Sequence, residues 1–208
     1  IIESEGTILE LTKKGNDITL TISYDQKIFD DICDGDSISV NGICLTIEQF
    51  SKDKLKFHLS MESISKVAKF TLDQKVNLER SLKLNDRISG HFVFGHVDGI
   101  ALIENIEKLN DCEKWDVKVP SNLNKYIAKK GSISLNGVSL TINSIENDVL
   151  SVNLIPYTLS HTTFQYNKIG ESLNIEIDML ARYVESINNN KIKMINKTED
   201  LIKDLKDG

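Results

Sequence analysis

An eleven-residue phrase occurs twice in this chain. Residues 37–47 read SISVNGICLTI and residues 132–142 read SISLNGVSLTI, with eight positions identical. Asn41 and Asn136 lie 95 residues apart, a period too long for a solenoid unit and about right for a small domain. The flanks keep the same offset. Ile28, Phe29 and Ile32 are echoed by Leu123, Tyr126 and Ile127, so that 24–34 and 120–130 each read as a short helical turn leading into the phrase. Residues 58–65 and 153–160 follow as strand plus turn, and VNLE at 76–79 is answered by LNIE at 173–176, an offset of 97. The chain is a duplicated domain, and any fold proposed for it has to be made twice.

The 208 residues hold two units near 90 residues each plus a tail, each with a modest core. A net charge of −6 gives no basic surface, so nucleic acid is not an expected partner. Three cysteines, Cys33, Cys44 and Cys112, form an odd, sparse set without CxxC spacing. They argue against a disulfide framework or structural zinc and for a reducing, cytoplasmic location. No apolar run reaches membrane-spanning length, no signal peptide is visible, and no membrane association is expected. The sequence begins at Ile1 without a methionine, which suggests that further residues precede it.

Period-two alternation dominates. Ile18, Leu20 and Ile22 alternate with polar residues, as do Leu55, Phe57, Leu59 and Met61, then Trp115, Val117 and Val119. Leu150, Val152 and Leu154 repeat the pattern, as do Leu173, Ile175 and Ile177. Short strands between Gly/Asn/Asp turns predict an all-β chain, one small antiparallel barrel per half. Asn41-Gly42 and Asn136-Gly137 suit tight turns with positive φ at both central residues. After Asp178 the period changes: Met179, Leu180, Tyr183, Val184 and Ile187 recur at helical spacing, ahead of a Lys/Asn-rich stretch to Gly208. This predicts a C-terminal helix whose apolar stripe packs on the barrels or on another subunit.

The two copies of the phrase differ where chemistry could enter. Position 44 is Cys and its counterpart, 139, is Ser. Residues two apart on a strand share a face, so Cys44 points with Thr46, and Ser139 with Thr141. If Leu45 and Leu140 face the interior, the polar members line the outside. Read as strand alone, these are a cysteine and β-forming threonines. Read as a site, they are two quasi-equivalent slots offering thiol or hydroxyl groups to a polar heterocycle.

A second cluster lies at the joint of the halves, Ser89-Gly90-His91-Phe92-Val93-Phe94-Gly95-His96-Val97-Asp98-Gly99. It holds two of the four histidines, bracketed by glycines. Glycine admits close backbone approach, and histidine moves protons near neutral pH. The spacing is not a metal signature. The segment is either a linker with hydrogen-bonded histidines or part of a site.

The doubled NGxxLT phrase, the GHxxxGHVDG joint and the terminal NIEID segment together resemble the α-subunit type of riboflavin synthase, over essentially Ile1 to Glu185. The resemblance implies two tandem six-stranded antiparallel Greek-key barrels plus a C-terminal helix, divided as 1–88, 89–184 and 185–208, the last serving oligomerisation. It implies dismutation of two molecules of 6,7-dimethyl-8-ribityllumazine to riboflavin and 5-amino-6-(ribitylamino)uracil, without cofactor or metal. It also implies a homotrimer, an N-barrel of one subunit facing a C-barrel of another, and association with lumazine synthase. Two copies of one substrate call for two similar slots brought together. Holding oriented partners in contact can lower the barrier by roughly 7–11 kcal/mol.

By matching motif, the resemblance implies a first slot of Cys44, Leu45 and Thr46 with His58, Leu59, Ser60, Met61, Glu62 and Ser63. The second would hold Lys130, Ser139, Leu140 and Thr141 with Leu154, Ile155, Pro156, Tyr157, Thr158 and Leu159. Gly95, His96 and Val97 would start the second barrel beside its ligand, as Ile1 and Ile2 do in the first. His96 would assist proton transfer, Cys44 would contact or activate the ring in its slot, and Ser139 and Thr141 would bond the other ring and position water. Asp178 would fix a ribityl hydroxyl. Two departures stand out. The family's Met-Phe-x-Gly ahead of the Ile-Ile pair is not in this sequence. Positions 62–70 also lack the threonines kept at 158–164, with Val67 and Ala68 in hydroxyl positions. A lumazine or flavin carrier of the same fold, with no catalysis, is the alternative that an eroded slot suggests; an unrelated ligand on a duplicated barrel is a third reading.

Overall fold

A computed structural model of the chain describes residues 2–206. Among these, six strands, β1 (Ser4–Lys14), β2 (Asp17–Ser23), β3 (Ser37–Val40), β4 (Ile43–Phe50), β5 (Lys54–Leu59) and β6 (Lys75–Arg80), close a barrel in the order β1-β2-β5-β4-β3-β6. Six more, β7 (Gly99–Lys108), β8 (Glu113–Lys118), β9 (Ser132–Leu135), β10 (Val138–Glu146), β11 (Val149–Leu154) and β12 (Ser172–Ile177), close a second in the order β7-β8-β11-β10-β9-β12. The order is the same in both, and even the irregularities repeat. Register shifts fall at Ile8/Glu10 and Ile103/Asn105, and at Ile47/Gln49 and Ile142/Ser144.

The alternating apolar positions fill the barrels. Leu20, Ile22, Leu55, Phe57, Ile38, Leu45 and Leu78 are buried in the first, and Trp115, Val117, Leu135, Leu140, Val152, Leu173 and Ile175 in the second. Burying a side chain of this size contributes about 1.5–3 kcal/mol. Trp115 meets Phe164 edge-on with ring centroids 5.2 Å apart. Met61, which shares the alternation of β5, is exposed instead, because the strand ends at Leu59 and a short helix, α1 (Met61–Ser65), begins. Its counterpart is α2 (Pro156–Ser160), with Pro156 in the first turn, where its missing N–H is not needed.

Residues 121–126 form a 3-10 turn, as the spacing predicts. Residues 25–31 instead make successive turns without a helix. The Asp25 carboxylate accepts the Lys27 N–H at 2.9 Å, a local bond that competes with helical pairing. The C-terminal helix, α3 (Met179–Lys206), starts directly after Asp178 and takes in the Lys/Asn-rich stretch, which contains no Gly or Pro before Gly208. The Asp178 carboxylate caps α3 by accepting the Leu180 N–H at 2.9 Å. Arg182 pairs with Asp98, and Lys125 with Glu185 at 2.8 Å, anchoring its first turns to the second barrel. No described helix is long and apolar enough to cross a membrane.

The barrels meet across a pseudo-twofold made by the repeated phrase itself. Asn41, Gly42, Asn136 and Gly137 all have positive φ, as two-residue hairpins of this kind require. The turns touch: a Cβ on Gly42 would stand 2.6 Å from the Gly137 nitrogen. Buried asparagines lock the contact from both sides. Asn77 Nδ2 donates to the Asn136 carbonyl at 2.9 Å, and Asn174 Nδ2 donates to the Asn41 carbonyl at 2.8 Å. The Thr163 N–H donates to Asn77 Oδ1 at 2.8 Å, and the Ala68 N–H to Asn174 Oδ1 at 2.7 Å. Ala68 and Thr163 occupy the same place, and both act through backbone N–H. The degraded segment 62–70 therefore keeps its structural contact.

Candidate active site

Strand pairing builds two equivalent polar faces. Ser37 lies opposite Thr46 and Ser39 opposite Cys44; in the second barrel Ser132 lies opposite Thr141 and Ser134 opposite Ser139. Leu45 and Leu140 are buried, while Cys44, Thr46 and Thr141 are exposed and Ser139 is half-buried. The alternation thus turns the polar members outward.

Cys44 and Ser139 open on one cavity of about 600 Å³ at the seam of the barrels. Its walls also include Ile2, Gly95, Ile155, Tyr157 and Thr158 from the sequence-predicted set. The joint completes it with His91, Phe92 and Phe94. Tyr157 and His161 stack there with centroids 4.0 Å apart and planes 15° from parallel. Ser39 Oγ, beside Cys44, is buried without a hydrogen-bond partner among the described residues.

The joint touches both faces. At one end Gly90 packs on Ser139, and the His91 N–H donates to Ser139 Oγ at 3.3 Å. The His91 ring Nδ1 lies 2.7 Å from the same oxygen. With the Nε2–H tautomer the Ser139 hydroxyl donates to Nδ1, the arrangement of a hydroxyl held by a base; with the Nδ1–H tautomer the ring donates to Ser139 Oγ. His91 Nε2 is buried with no hydrogen-bond partner among the described residues. Burial pushes the His91 imidazole below the ordinary histidine range, and the charge of Asp178 opposes this only in part. At the other end Gly95 packs on Cys44, whose N–H donates to the Gly95 carbonyl at 2.9 Å.

The remaining sequence-predicted residues lie around these faces. His96 is exposed and stacks on Phe94, with centroids 6.0 Å apart. Val97 packs against the core of the first barrel, and Ile2 is buried in that of the second. The starts of the two barrels are therefore exchanged relative to the sequence expectation. Gly95 and Val97 flank the first slot and Ile2 the second, because each chain start crosses the pseudo-twofold before entering its own sheet. His58 Nε2 pairs with Asp17 Oδ2 at 3.2 Å. Leu59 is buried, Ser60 caps α1 by accepting the Ser63 N–H at 3.4 Å, and the Met61 N–H donates to Asp17 Oδ1 at 3.0 Å. Lys130 is exposed with φ of 68°, where its counterpart is Gly35 at 91°. Leu154 is buried, Pro156 exposed, and Leu159 packs against the second core. Ile1 and the side chain of Glu62 lie outside the described residues.

Two residues are in place that the sequence reading did not choose. His91, not His96, makes the contact to Ser139; the signal was the doubled Gly-His pair in the joint. Glu176, buried at the end of β12, holds the backbone of Phe94 and Gly95; its signal was the repeated VNLE and LNIE. Among the described residues, no group of three or more His, Cys, Asp or Glu could hold a metal ion.

Two closed barrels of identical topology, with equivalent polar faces flanking one cavity, define a duplicated ligand-binding barrel protein. The lumazine binding domain matches this chain twice, over residues 1–81 and 94–178. The chain is 43% identical over 186 residues to the riboflavin synthase of Bacillus subtilis, covering 88% of this chain and 86% of that protein. It is 37% identical over 203 residues to the riboflavin synthase of Photobacterium phosphoreum, covering 96% and 90%. The chain belongs to the riboflavin synthase family, whose lumazine binding domain it carries twice. Among solved structures, LumP complexed with riboflavin superimposes with a TM-score of 0.78 at 24% identity, covering 85% of this chain and 97% of that chain. At that identity the likeness concerns the fold.

Proposed function

We propose that the chain catalyses the dismutation of two 6,7-dimethyl-8-ribityllumazine molecules, moving a four-carbon unit from one to the other. Riboflavin and 5-amino-6-(ribitylamino)uracil leave, and the atoms balance without a further reactant. The observation that carries the reading is a duplicated barrel with Cys44 and Ser139 on one cavity, in a chain 43% identical to an enzyme of that name.

The residues divide the work by barrel. In the second, the Ser139 hydroxyl and the neutral His91 ring take up and return a proton of the ring methyl or a held water. Thr141 lies two residues from Ser139 on the same face and bonds the ring edge or the side chain. In the first, Cys44 meets the ring beside the bare backbone of Gly95, with Ser39 and Thr46 offering hydroxyls. Residues 1–88 and 89–184 act as the two binding units. Exposed Leu180, Tyr183, Val184 and Ile187 on α3 support assembly into a homotrimer, in which a first-barrel slot of one subunit meets a second-barrel slot of another.

A turnover assay with 6,7-dimethyl-8-ribityllumazine alone tests this. Riboflavin appearing at half the rate of lumazine loss is the expected result. Tight lumazine binding with no riboflavin would instead make the chain a carrier built on the fold it shares with LumP.

A further inference from the structure

Glu176 is 4% exposed at the end of β12. Its Oε1 accepts the Phe94 N–H at 2.7 Å and its Oε2 accepts the Gly95 N–H at 2.9 Å. The same Gly95 receives the Cys44 N–H on its carbonyl at 2.9 Å. One residue without a side chain therefore links a carboxylate of the second barrel to the thiol residue of the first. The link is tight. A Cβ on Gly95, whose φ is 76°, would stand 2.6 Å from the Cys44 nitrogen and 2.7 Å from its Cβ.

A carboxylate is an expensive way to hold a loop. Among the described residues no ion pair reaches Glu176, and a buried charge without a cation is strongly disfavoured. Burial pushes its carboxyl above the usual carboxylate range, while the two N–H donors and the charge of His96 act the other way and Asp98 adds to the rise. A glutamine could satisfy only one of two adjacent N–H groups, since its amide nitrogen would face the other. Two adjacent amides held by one side chain need two acceptor oxygens, and charge-assisted bonds hold them more rigidly than neutral ones.

We propose that Glu176 is the positioning residue for the first slot, fixing the Phe94–Gly95 backbone that in turn sets Cys44 against its substrate ring. The proposal rests on the synthase reading above. Glu176 touches no substrate; it acts through Gly95. The test is Glu176→Gln in a background of Cys33→Ser and Cys112→Ser, so that Cys44 is the only thiol. Two quantities are read: iodoacetamide alkylation of Cys44, and steady-state riboflavin formation. With Gly95 released, the alkylation rate of the already exposed Cys44 changes by about threefold or more, because its backbone is no longer held in one orientation. At the same time kcat falls by about tenfold with KM changed much less, as expected for lost orientation. A lower melting temperature with alkylation rate and kcat at parental values would overturn the proposal, leaving Glu176 a purely structural residue. Should Glu176→Gln not fold, Glu176→Asp gives the same two readings, its carboxylate being one methylene short of spanning both amides. The alkylation readout needs no turnover: a parent that makes no riboflavin sinks the synthase reading, and unchanged alkylation sinks this one.

Discussion

The two barrels share strand order, bulges and the turns at which they touch, yet their polar faces are served differently. In the first, Cys44 lies against the backbone of Gly95. In the second, Ser139 lies against Gly90 and the ring of His91. Both partners come from the single joint, five residues apart. The duplication therefore supplied equal scaffolds, and the joint between them serves the two faces with different groups. A thiol facing a bare backbone and a hydroxyl facing a base can carry different steps of one reaction.

The comparison can be broken at its centre. Gly42→Ala forces a Cβ to 2.6 Å from the Gly137 nitrogen at a φ of 78°, and the chain should lose about 3 kcal/mol or more. Urea unfolding should show both barrels losing stability; loss confined to the first would mean that the turns do not couple them. Next come Asn77→Ala and Asn174→Ala. Each strips two bonds across the seam and leaves buried backbone groups unpaired, destabilising by about 2–3 kcal/mol. If the pseudo-symmetry is energetic as well as geometric, the two melts shift alike.

His91→Gln sharpens the asymmetry. It should lower kcat about a hundredfold with a small change in stability. Because burial holds the His91 pKa below its ordinary value of 6.5, the working neutral form persists at neutral pH and is lost only as pH falls through that lowered pKa. The acid limb of kcat should accordingly lie under 6.5 and vanish in the variant. An unaltered profile would assign the proton transfer to another group. The smallest effect is expected of Ala68→Thr, which restores the hydroxyl kept at Thr163. Ala68 is only half-buried and its seam contact is made by the backbone N–H, so the change should move stability by less than about 1 kcal/mol, read from the melting temperature.

Much of this was legible beforehand. The doubled phrase announced two barrels, alternation put Leu45 and Leu140 on the face opposite Cys44 and Ser139, and Asn-Gly twice announced the positive-φ turns. Alternation is local, so burial along a strand follows from neighbours two residues apart. Which histidine meets Ser139 is not local. His91 and His96 both follow a glycine, and their assignment depends on how the joint crosses the seam. The same holds for Ile2 and Val97, which pack on the barrel opposite to the one they open.

The repeat and its period, by themselves, determined that the fold is all-β, doubled and closed by an α-helix. Only the tertiary structure decided that the phrases meet back to back, that asparagines 77 and 174 stitch them, and that Glu176 reaches across to Gly95 beside Cys44. The reason is physical. Strand periodicity is written in side-chain hydrophobicity, whereas these contacts are made largely by backbone amides and carbonyls, which every residue carries and no sequence distinguishes.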